Sequence, residues 1–168
     1  ARIWEELDPD FAARCLEAAE KAWEAARANP EIYAGNTPGD GGGNYDNTVV
    51  ADEFYWAAAE LFITTGEQKY LDFLLKTSLF ARSSQYDWGR TAPLGTLSLA
   101  MLENDLPQAQ QAQIEDSIVA YADELLAIQQ ADGYGVPLDG DYVWGSNGLI
   151  LNNLILLSTA YDLTGDSD

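Results

Sequence analysis

Apolar residues return every three or four positions along most of this chain, the spacing that lays one stripe along a helix. The first such segment opens at Asp8-Pro9, a capping acid followed by a proline in the first turn, and stops at Asn29-Pro30. Phe11, Cys15, Ala19, Ala22, Trp23 and Ala26 make its stripe, and Glu17, Glu20, Lys21 and Glu24 lie elsewhere. It reads as an amphipathic, outer helix. Over residues 52–64 the pattern changes. Phe54, Tyr55, Trp56, Leu61, Phe62 and Ile63 are apolar all round, and Thr65-Gly66 ends the run. A helix that is greasy on every side must be enclosed.

The same alternation continues. Residues 67–81 carry a stripe of Tyr70, Leu71, Leu74, Leu75 and Phe80, whereas 92–103 hold no charge before Glu103 and stop at Asn104-Asp105-Leu106-Pro107. Residues 108–130 are amphipathic again through Ile114, Ile118, Tyr121, Ala122, Leu125 and Ile128. The sixth helix begins near Ser146, is uncharged until Asp162, and closes with Leu163-Thr164-Gly165-Asp166. That ending echoes Thr64-Thr65-Gly66-Glu67, a weak internal repeat. Outer and enclosed helices in alternation, with almost no strand, predict an all-α fold of α-hairpins around an axis, an α/α toroid. The connections 31–51, 82–91 and 131–145 would then share the end where the enclosed helices start. They are long and carry Tyr33, Tyr45, Tyr86, Trp88, Tyr134, Tyr142 and Trp144, so function is expected at that end.

Composition narrows the chemistry. Asp plus Glu number 28 against 8 Lys plus Arg, for a net charge of −20, and histidine is absent. Without imidazole there is no Ser-His-Asp or Cys-His catalysis and no His-ligated zinc. The negative surface argues against nucleic-acid and anionic-membrane partners. The longest apolar stretch, 149–157, is interrupted by Asn152-Asn153 and is far shorter than the roughly 20 residues of a membrane span. Residues 1–6 lack the basic and apolar pattern of a signal peptide, which is expected to have been removed or to belong to a longer chain. The single cysteine, Cys15, reads as a small buried hydrophobe.

Aromatic rings beside Asp, Asn and Gly suit a carbohydrate, whose apolar ring face stacks while short polar groups bond its hydroxyls. Trp144, at the mouth of an enclosed helix, is the foremost of these, and half of the loop rings are expected to plug loop cores instead. Asp52-Glu53, behind the carbonyl-rich stretch Tyr45-Asp46-Asn47-Thr48-Val49, offers hard oxygen ligands for Ca²⁺. The same acids equally complement a helix N-terminus. Asp139-Gly140-Asp141 reads first as a turn signal rather than as an acid-base pair. Asp40-Gly41-Gly42-Gly43-Asn44 lacks the Lys and Ser/Thr of a phosphate loop.

Gly41-Gly42-Gly43-Asn44-Tyr45-Asp46, then the ten residues from Asp52 to Leu61, then Trp144-Gly145-Ser146-Asn147, Asn152-Asn153 and the closing Ala160 to Asp166 together resemble the middle of a glycoside hydrolase family 9 catalytic domain. The resemblance implies half of a six-hairpin α/α toroid and inverting hydrolysis of β-1,4-glucans such as cellulose by a secreted parent enzyme. It implies structural Ca²⁺ at Asp52, Glu53 and the Thr48 and Val49 backbone, with a third carboxylate from loop 82–91, for which Asp87 is the nearest candidate. It also implies glucosyl stacking on Trp144, with Trp88 and Tyr45 lining the cleft. The family's Asp-x-Gly-Asp base motif, its cleft histidine and its general-acid Glu have no counterpart in the sequence, so no catalytic residue is assigned. The remainder of such a domain is then an expected partner. The alternative from another class is a non-catalytic carbohydrate-binding module on the same helices.

Overall fold

The computed structural model describes residues 1–33 and 47–165. Six helices follow a short 3-10 turn at Arg2–Trp4: α1 (Pro9–Ala28), α2 (Ala51–Thr65), α3 (Gln68–Lys76), α4 (Ala92–Met101), α5 (Gln108–Ala131) and α6 (Ser146–Thr164). Among the described residues no strand forms, and the one β-like pairing is an isolated bridge between Asp87 and Arg90. Helices α2 and α4 pack most extensively on each other, α3 lies against α2, and α5 joins α4 to α6. The arrangement is an arc of an α/α toroid, with α2, α4 and α6 as its inner helices.

Local chemistry explains the boundaries. Asp8 caps α1 by accepting the Phe11 N–H at 3.0 Å, and Pro9 starts the helix where no intrahelical donor is needed. The echoed Thr-Gly endings take one geometry. Gly66 and Gly165 stand at φ +66° and +71°, and each donates its N–H to the carbonyl four residues back. The threonine before each glycine also donates its hydroxyl four residues back, Thr65 to Leu61 and Thr164 to Ala160.

Two helices end sooner than the apolar pattern predicts. α3 stops at Lys76 rather than Ala81, because the Thr77 hydroxyl accepts the Leu79 N–H and offers the backbone a turn instead. Ala81 then turns left-handed at φ +57°, and its N–H meets the Tyr55 hydroxyl at 3.3 Å. α4 stops at Met101, where the Asn104 amide donates to the Leu99 and Leu102 carbonyls.

The core runs along α2 and α4. Tyr55, Phe62, Tyr70, Leu74 and Leu99 are fully buried, and Gly95 lets the two inner helices meet. A Cβ there would lie 3.1 Å from the Trp56 Cα and from the Tyr55 ring. Trp23 ties α1 to this core with edge-on contacts to Phe54, Tyr70 and Phe73 at centroid distances of 5.1–5.9 Å. α6 departs from the expectation of full enclosure. Asn153, Leu156, Thr159 and Ala160 face the core, whereas Leu151, Leu154, Ile155 and Tyr161 are exposed, since no other described element lies on that side.

Candidate functional site

The beginnings of the inner helices converge. At the start of α4 the Thr91 N–H and hydroxyl donate to the Asp52 Oδ2 at 2.7 and 3.3 Å, which seats that end against the first turn of α2. At the opposite end, Gly66 behind α2 lies beside the Asp105 carboxylate that follows α4. The long connections therefore gather at one end and the short turns at the other.

Loop 82–91 is built around buried Gln85 and Tyr86. It then makes a tight turn in which the Asp87 and Arg90 backbones bond each other at 3.2 and 3.3 Å. Asp87 Oδ1 accepts the Gly89 N–H at 2.9 Å and its Oδ2 accepts from the Arg90 guanidinium at 2.7 Å. Trp88 sits at the corner of this turn, 61% exposed. Loop 131–145 starts with Asp132 accepting the N–H groups of Tyr134 and Val136 and is pinned by buried Pro137-Leu138. Its glycines 135, 140 and 145 all adopt positive φ. Tyr134, Tyr142 and Trp144 line its outer surface, and Trp144 is 93% exposed.

Among the described loop aromatics only Tyr86 is buried, so fewer rings plug loop cores than expected. Its neighbours Ser84 and Gln85 are as polar as those around Trp88, so composition alone does not separate the two rings. Tyr45 and the glycine run lie outside the described residues. Asp139 and Asp141 are exposed on their loop, with Gly140 between them at φ +97°.

Asp52 and Glu53 form the acidic centre. Asp52 is buried, and its Oδ1 and the Glu53 Oε2 are both enclosed, with no donor reaching them from outside the pair. Burial, then a hydrogen bond with Asp52 and its negative charge, push the Glu53 carboxyl up to about 7. For Asp52 burial pulls upward too, but hydrogen bonds from Glu53 and Thr91 outweigh it and leave the group low. Two adjacent carboxyls in this state require one shared proton or one cation between them. Thr48 and Val49 immediately precede this turn. Both are exposed, and the Val49 N–H donates to the Asn47 Oδ1 at 2.8 Å. Asp87 instead pairs with Arg90. Among the described residues no group of three His, Cys, Asp or Glu is assembled for a metal.

Two consecutive α6 residues reach into both aromatic loops, Asn152 to the Tyr86 carbonyl and Asn153 to Gln85 and the Pro137 carbonyl. Sequence reading notes this pair without giving it a role. Its signal is an amide pair inside an otherwise apolar helix.

Known proteins share this architecture. The chain is 41% identical to a cellulose 1,4-beta-cellobiosidase of Acetivibrio thermocellus, with 99% of the chain aligned to 22% of that protein. It is 45% identical to endoglucanase C of Cellulomonas fimi, with 99% aligned to 16% of the relative. The solved GH family 9 endoglucanase J30 superposes with a TM-score of 0.87 at 29% identity, over 98% of this chain and 31% of that one. The chain thus spans less than a third of each of these proteins. The family profile described as Glycosyl hydrolase family 9 matches residues 1–168, and the chain, an arc of an α/α toroid with its long aromatic loops at one end, belongs to that family.

Proposed function

We propose that this chain supplies part of the substrate cleft, and a structural cation site, of an enzyme that hydrolyses β-1,4-glucosidic bonds in cellulose or related β-glucans. The observation that carries the reading is Trp144, an almost fully solvated indole at the end of the toroid where the inner helices begin. Leaving so large an apolar face in water is costly, and a pyranose covers it. Trp88, exposed at its own turn, would extend the platform, and the family resemblance alone assigns Tyr45 to the same cleft. Asn, Asp and backbone groups of these loops then bond the sugar hydroxyls and fix the chain's direction.

Inversion requires one carboxylic acid on the leaving oxygen and one carboxylate roughly 6.5–9.5 Å away to activate water. Asp139 and Asp141 stand exposed on a glycine-jointed loop and are not assigned to either role. Binding and hydrolysis therefore separate in this chain. In affinity electrophoresis through hydroxyethyl cellulose, it is expected to be retarded and Trp144→Ala is not. A reducing-end assay on carboxymethyl cellulose is expected to stay flat. Equal migration of the two proteins overturns the platform.

The metal reading rests on the two enclosed carboxylate oxygens of Asp52 and Glu53 that no donor from outside the pair reaches, hard donors of the kind Ca²⁺ takes. Carbonyls of Thr48 and Val49, at the start of α2, would complete the set. The ion would hold the two acids ionised and tie residues 48–49 to the α2–α4 junction. The remainder of the toroid is the partner proposed for the open face of α6. Secretion follows from the same reading, since an insoluble polymer is met outside the cell.

A further inference from the structure

Asn153 is completely buried in an otherwise apolar stretch of α6, where an amide is unfavourable unless it is bonded. Its Nδ2 donates to the Gln85 Oε1 at 3.1 Å and to the Pro137 carbonyl at 2.8 Å. The Pro137 bond fixes the orientation of the amide, because a flipped group would set oxygen against oxygen. Asn152, the next residue back, donates its Nδ2 to the Tyr86 carbonyl at 2.9 Å. One turn of helix thus grips both loops, and each grip lies at the root of an aromatic tip. Tyr86 precedes Trp88 by two residues, across a turn closed by Asp87 and Arg90. Pro137 lies between the left-handed Gly135 and Gly140, so it is the fixed point of a loop that otherwise has glycine joints on either side. Beyond Gly140 the backbone closes onto the start of α6 through Ser146 N–H to the Val143 carbonyl at 3.0 Å, with Trp144 between.

We propose that Asn152 and Asn153 are positioning residues that hold Trp88 and Trp144 in register for a β-glucan chain long enough to contact both. This rests on the reading of those tryptophans as sugar platforms. Loops without a ladder must find donors for their buried carbonyls, and here both donors come from one rigid helix. The two rings are therefore referenced to a common support. Preorganisation of that kind favours a ligand that spans both rings and does nothing for one that covers a single ring.

The test titrates the chain, Asn153→Leu and Asn152→Ala with cellobiose and with cellohexaose by calorimetry, and follows amide exchange in the same proteins. Both variants are expected to keep cellobiose affinity and to lose about tenfold for cellohexaose. Exchange is expected to quicken in 85–91 and 136–144 together while α2 and α4 stay protected. A variant that is merely less stable weakens both ligands in step, and that result, or unchanged cellohexaose binding, overturns the proposal. Should Asn153→Leu fail to fold, Asn152→Ala, at a half-buried position, carries both measurements. If Trp144→Ala binds cellohexaose like the parent chain, the platform reading itself has failed. If it binds less tightly but the asparagine variants match the parent, only the positioning claim has.

Discussion

An exposed ring and a buried glycine carry opposite burdens here, and their variants should separate accordingly. Trp144→Ala removes a ring that touches little of the protein, so its unfolding free energy should stay within about 0.5 kcal/mol of the parent by urea titration even as glucan retardation is lost. Gly95→Ala should do the reverse. The added methyl meets backbone and a buried ring at 3.1 Å, neither of which is free to swing away. A loss of about 1–3 kcal/mol is expected, read as a lower melting temperature. Trp144 was legible in the sequence because it stands one residue before the glycine that starts an uncharged helix. Tyr86 was not, since its burial comes from joining a core cluster whose other members lie on helices distant in sequence. Asn153 falls between: its apolar setting is visible, but the two loops it bonds lie 68 and 16 residues away.

Elements show which parts of a pattern are local. The Thr-Gly stops and the Asp8-Pro9 start could be read directly, because capping depends on residues within one turn. The early end of α3 could not, because apolar Leu79 and Phe80 keep the helical spacing after the backbone has left the helix. The Arg2 clamp was invisible as well, since it spans the length of the first hairpin. Arg2 pairs with the Glu60 carboxylate and donates to the Glu60 carbonyl at 3.0 Å, while Trp56 and Ser98 bond the other Glu60 oxygen at 3.1 and 2.6 Å. Burial raises the Glu60 pKa, but these bonds from Ser98, Arg2 and Trp56 outweigh it and leave the group below its usual 4.5. A depressed folded-state value means stability that is present above pH 4.5 and is lost as pH falls through the lower folded value. Urea midpoints measured on either side of that pH should therefore fall with acidification in the parent. They should fall less in Glu60→Gln, which should also be the weaker protein near neutrality.

For the whole molecule, charge and the proposed cation site can be told apart. A net charge of −20 repels itself, so sodium chloride alone should raise the melting temperature by screening. At matched ionic strength Ca²⁺ should raise it further, because an ion that binds only the native state stabilises by mass action. Asp52→Asn should abolish the extra increment and keep the salt effect. The arc also has a weak edge. α1 is held to the rest of the described structure mainly by α2, the 3-10 turn and the Trp23 and Arg27 side chains against α3, with a cavity of about 1050 Å³ opening between α1 and α2. Few contacts mean a low cost of leaving, so α1 should detach before α2 and α4 separate. The chain's only thiol, half-buried Cys15, rides on that helix and faces the cavity. A colourless protein thereby carries its own reporter. As urea is raised, reaction of Cys15 with a disulfide reagent should accelerate at concentrations where the far-ultraviolet dichroism is still native, marking the departure of one helix from an otherwise standing wall.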